Sequence, residues 1–86
     1  MFIIEDELHC EPMRGEYRTF KDAVTELHRL AEISWQKKPN QAPCTSWRTC
    51  GRKYVILEYD ITTKPWKMIS RRDMLEIDAD GVRWDD

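Results

Sequence analysis

The chain has no long apolar run, no glycine-rich stretch, no internal repeat and no low-complexity tract. A membrane-spanning helix needs about 20 consecutive apolar residues, so none is expected. Gly15, Gly51 and Gly81 stand far apart, which leaves no phosphate-cradling loop and no nucleotide, haem or flavin fingerprint. Cysteine is scarce and odd in number: Cys10, Cys44 and Cys50 do not make a secreted disulfide framework. Phe2-Ile3-Ile4 is followed at once by Glu5-Asp6-Glu7, which is not the pattern of a signal peptide. A complete chain in the reducing cytoplasm is the expectation. A strong excess of one charge is missing too. The net charge of −2 argues neither for nor against a polyanionic partner.

What is present is one domain's worth of sequence. Eighty-six residues make a single domain, 1–86, with room for about one helix against one sheet. Four Trp, three Tyr and two Phe are too many for a disordered chain of this size.

The strongest periodic signal is Thr19 to Ser34. Phe20, Ala23, Val24, Leu27, Leu30 and Ala31 recur at spacings of three and four, which puts them on one helical face. Thr19 is a natural N-cap, and Asp22 sits three residues on, near the positive end of the helix dipole. The pattern predicts a helix over about 19–34, stopped before Pro39.

Strands are expected around it. Residues 2–10 read as a first strand interrupted by acids, and Glu16-Tyr17-Arg18 as a short second one. The clearest strand is Lys53 to Ile61, where alternation predicts that Val55, Leu57, Tyr59 and Ile61 meet the helix. Tyr54, Ile56, Glu58 and Asp60 fall on the other face. Trp66 to Ile69 reads as an extended piece, and Ser70-Arg71-Arg72-Asp73 as one helical turn. Asp80-Gly81 marks a two-residue hairpin turn. That turn would pair Ala79 with Val82, Asp78 with Arg83 and Ile77 with Trp84. The expected order is β-β-α-β-β-β. This is an α+β fold, a small two-layer sandwich of about five antiparallel strands with one helix packed on one face. In size and pattern the chain resembles the short α+β proteins of bacterial genomes.

Charge is segmented. Residues 1–36 hold eight acids and four bases (net −4), residues 37–72 hold nine bases and two acids (net +7), and residues 73–86 hold six acids and one base (net −5). Trp47, Tyr54 and Trp66 are interleaved with the central bases. Cations beside exposed rings are what single-stranded nucleic acid or another polyanion requires. The competing expectation is that the flanking acids neutralise this segment within the fold. No recognition-helix or RNP-type motif accompanies the bases.

Cys44 and Cys50, with Cys10, His9 and His28, could supply a metal site. The C-x5-C spacing of Cys44 and Cys50 is wider than that of standard zinc pairs, so no metal and no cofactor is expected. Cys10 is expected as a small buried residue on its strand. One catalytic alternative exists: Cys50 as a nucleophile activated by Arg48 and Arg52, with His9 or His28 as base. No motif positions those groups together. Glu58 and Asp60 share a strand face about 7 Å apart, a pair that could bind a cation or act as acid and base but that more often is a solvated sheet face.

The expectation that best covers these features is a small non-enzymatic interaction module. It would bind a protein partner or form a homodimer, without a membrane. Exposed tryptophan and arginine are what interfaces favour. Trp47, Arg48, Arg52, Trp66, Arg71 and Arg72 are the candidate binding residues.

Overall fold

The computed structural model describes residues 1–13, 15–41 and 51–85. The elements are β1 (Phe2–Asp6), β2 (Glu11–Pro12), α1 (Phe20–Ala31), β3 (Arg52–Asp60), β4 (Lys67–Asp78) and β5 (Gly81–Trp84). They form one antiparallel five-stranded sheet in the order β2-β1-β3-β4-β5, with α1 on one face. This is the α+β architecture expected from the pattern.

The helix forms where its periodicity places it. Thr19 Oγ1 accepts the Asp22 amide at 3.1 Å, closing the first turn. Ala23, Leu27 and Leu30 are buried. They pack on Ile4 from β1, Tyr54 and Ile56 from β3, and Leu75 and Ile77 from β4. The last turn is held from outside the helix. Asn40, fully buried, donates through Nδ2 to the carbonyls of Leu30 (2.8 Å) and Ile33 (2.9 Å). Its Oδ1 accepts the Tyr54 hydroxyl at 2.7 Å. One side chain thus satisfies helix-end carbonyls and a core phenol. Burial pushes the Tyr54 pKa up, keeping the phenol a donor.

Several local expectations are corrected. The face of β3 that meets α1 carries Tyr54 and Ile56, not Val55, Leu57, Tyr59 and Ile61. Val55 and Leu57 are also buried, so both faces of the strand read as apolar and alternation could not choose between them. Ile61 lies beyond the strand and is exposed. Ser70 to Asp73 is strand, not a helical turn: Ser70, Arg71, Arg72 and Asp73 pair with Glu58, Leu57, Ile56 and Val55. Two register shifts in the β3–β4 ladder break the alternation that would have shown β4 as one strand.

The final hairpin turns one residue earlier than expected. Ile77 pairs with Val82 and Leu75 with Trp84, leaving Ala79 and Asp80 in the loop. A type I′ turn at Asp80-Gly81 needs positive φ at both residues, and only Gly81 has it (φ 117°). The faces survive, because the partners move by two positions. Arg83 still forks onto Asp78, at 2.5 and 3.1 Å, as a diagonal neighbour. The first strand ends at Asp6, and β2 is Glu11–Pro12 rather than residues 16–18. Tyr17 contributes a single bridge to Phe2. Cys10 is exposed in the intervening turn with φ 52°, so it is not a buried strand residue.

Candidate functional site

Of the candidate binding residues, Trp47 and Arg48 lie outside the described residues, as do Cys44 and Cys50. The other four do not converge. Arg52 is buried at the start of β3, Arg71 and Arg72 project from opposite faces of β4, and Trp66 stands exposed before β4.

Arg52 is the centre of a polar cluster. Its Nη1 donates to Asp6 Oδ2 and to Glu11 Oε2, both at 2.9 Å. Its Nη2 donates to the carbonyls of Pro39 (3.2 Å) and Gln41 (2.9 Å). Burial pulls the Arg52 pKa down, but the hydrogen bonds to Asp6 and Glu11 outweigh it, and the net shift is upward. Asp6 is shut off from solvent. It also accepts the amides of Leu8 and Lys53 at 3.1 Å each, and His9 Nδ1 lies 2.5 Å from it. Asp6, one of the acids that interrupt the first strand, and Glu11 of β2 therefore bracket a buried cation. The only trace of this in the sequence is that Ile4 and Asp6 fall on the same strand face as an arginine two positions before Tyr54.

A groove of about 750 Å³ lies beside this cluster, with Ile4, Met13, Tyr17 and Leu30 among its walls. Four of its five charged lining residues are paired with one another, Arg52 with Glu11 and Arg29 with Glu26 through both guanidinium and carboxylate edges, and Lys38 is the fifth.

Three of the eight described bases of the central segment, Arg52, Lys53 and Arg71, are paired with flanking acids. Lys53 Nζ is 3.6 Å from Glu7, and Arg71 is paired with Glu7 and, at 3.1 Å, with Asp73. Arg72 lies on the helix side, its guanidinium carbon 5.0 Å from the centroid of the Phe20 ring. Glu58 and Asp60 are engaged by hydroxyls, Glu58 by Ser70 Oγ at 3.3 Å and Asp60 by Thr62 Oγ1 at 2.6 Å. His28 is exposed with its ring 4.5 Å from that of Trp84. Among the described residues no group of three or more His, Cys, Asp or Glu could hold a metal ion. No described helix is long and apolar enough to cross a membrane.

The remaining feature is the far half of the β3–β4 hairpin. Ile61, Trp66, Met68 and Ile69 are all exposed there, with the Trp66 ring 6.1 Å from that of Tyr59. Beside them an edge of β4 is open. β5 pairs only with Leu75–Asp78, and the Asp85 amide closes one further bond on the Met74 carbonyl at 2.8 Å. Among the described residues no strand pairs with that edge from Lys67 to Asp73.

Compared with known proteins, the chain matches no protein-family profile, no curated protein and no solved structure.

Proposed function

We propose that this protein is a small non-enzymatic interaction module whose binding surface is the outer half of the β3–β4 hairpin. One observation carries the reading. Four large apolar side chains stand exposed at the far end of the β3–β4 hairpin, two of them on β4 and two in the connecting turn, beside a backbone edge that is open among the described residues. Exposed apolar clusters of this kind mark association surfaces, and an open edge offers backbone hydrogen bonds to an incoming strand. The intramolecular pairing of Arg52, Lys53 and Arg71 favours a protein partner over a polyanion, because phosphates would compete with carboxylates already in place.

The test is to compare wild type with Ile69→Glu in sedimentation velocity and in affinity capture. Ile69 is 59% exposed, so the charge is tolerated by the fold. Self-association, or a specific protein retained by wild type and lost by the variant at unchanged circular dichroism, supports the reading. Absence of any protein association by wild type refutes it.

A further inference from the structure

The groove beside the Arg52 cluster forms where three parts of the chain meet. Ile4 of β1, with Pro12 and Met13, supplies one wall. Leu30 of α1 supplies a second, and Pro39, after the helix, a third. Ile4, Leu30 and Arg52 are themselves buried, so the groove reaches down to the core. Its volume of about 750 Å³ lies within the range of small-molecule sites, which pair an apolar body with a few placed polar groups. Tyr17 also lines it. Burial, then the Glu26 charge, pushes the Tyr17 pKa up, so that side chain stays a neutral phenol.

The hydrogen-bonding capacity left over along this lining is mostly that of donors. Both Glu26 oxygens are taken by Arg29, through Nε and Nη2. Glu11 Oε2 is taken by Arg52. Asp6, behind Arg52, is shut off from solvent and accepts two backbone amides besides Arg52. Two cationic groups keep spare N–H bonds. Arg29, with its side chain 60% exposed, has Nη1 uncommitted. Lys38, exposed at the rim, has no hydrogen-bond or ion-pair partner among the described residues. Against them stands one spare carboxylate oxygen, Glu11 Oε1, while the Gln41 amide offers both roles. The lining holds three bases and two acids, and counting buried Asp6 makes the charge even. Selectivity therefore rests on the spare donors rather than on a net field.

We propose that this groove binds a small organic carboxylate, with an apolar body along Ile4, Met13 and Leu30 and its head at the rim beside Lys38 and Arg29. Hydrogen bonds between ionised partners are roughly twice as strong as neutral ones, so a carboxylate gains more here than an uncharged head. A cationic head would meet Lys38 and Arg29 as like charges. No described residue of β4 lines the groove, so the site is separate from the β3–β4 surface and goes beyond the interaction-module reading.

The experiment is a proton–nitrogen NMR titration of the wild-type chain with octanoate, with 1-octanol and octylammonium run in parallel. Octanoate should shift the Met13, Tyr17, Leu30 and Lys38 amides saturably. 1-Octanol should bind about tenfold more weakly or worse, and octylammonium more weakly still. Lys38→Gln, at an exposed position, should weaken octanoate about tenfold but not 1-octanol. Absence of a saturable shift at those amides overturns the inference, as do shifts confined to the exposed apolar end at residues 61–69. Equal affinity for octanoate and 1-octanol also overturns it, because the groove would then be an apolar slot that does not recognise the head. An octanoate affinity unchanged in Lys38→Gln overturns it too.

Discussion

Arg52 and Asp6 face each other across β3 and β1 at 2.9 Å, and neither side chain reaches solvent to any useful extent. Buried charges are tolerable only when paired and fully hydrogen-bonded. Removing one partner leaves the other stranded. Asp6→Ala should cost about 3–5 kcal/mol of stability, measured by urea unfolding. An Asp6→Leu/Arg52→Met double variant should lose less than the sum of its single changes, because the second removes the orphan left by the first.

Asn40 ties the segment after the helix to both helix and sheet. Asn40→Ala leaves two helix-end carbonyls and the Tyr54 hydroxyl without this partner. A loss of about 1–3 kcal/mol is expected for each buried group that finds no substitute. Hydrogen exchange checks the origin: the closing turn of α1 should open more readily while the first turn, capped by Thr19, keeps its protection.

Leu27 lies fully buried at the middle of the helix face. Leu27→Ala should lower stability by about 2–5 kcal/mol in denaturant titration. A variant as stable as wild type would mean that the core is elsewhere.

Gly51 enters β3 under the carbonyl of Ile77. A Cβ at this position would meet that oxygen and lie 2.5 Å from Asp78 Cβ. Gly51→Ala should therefore push β3 and β4 apart at their Arg52–Ile77 end and cost about 1–3 kcal/mol. The chemical shifts of Ile77 and Asp78 amides should report the displacement.

Asp78 titrates below the usual carboxylate range, chiefly because Arg83 hydrogen-bonds its charged form. A depressed folded pKa adds stability above the unfolded value, about 3.9, and loses it as pH falls through the folded one. The stability gap between wild type and Asp78→Asn should accordingly close as pH drops below about 4. Thermal unfolding at a series of acidic pH values measures it.

The helix and the fold class were legible because they rest on local periodicity and capping, which a sequence displays directly. Thr19, Asp22, Leu27 and Leu30 do in the structure what their spacing implies. The face of β3 was not legible, since Val55 and Leu57 are as apolar and as buried as Tyr54 and Ile56. Asp6 and Arg52, 46 positions apart, pair on the same face as Tyr54, a contact that local alternation does not display. The Ser70–Asp73 stretch misled for a related reason. A serine followed by an acid three residues on is a helix-start pattern, but pairing with β3 overrides so short a signal. Of the candidate binding residues, Trp66 was suggested by composition and stands exposed. Arg52 could not be separated from surface arginines, because its acids are distant in sequence.

β4 is twelve residues long, which at about 3.3 Å each comes to about 40 Å. The longest dimension of the whole molecule is 41 Å. A single strand thus acts as the ruler of the protein: one end is clamped under α1, the other carries the exposed side chains. Length and stability are separable in such a design. Residues removed in opposed pairs from the Asp60–Lys67 end would shorten the ruler step by step, and foreign strand sequence could be grafted there, while the clamped end keeps its packing.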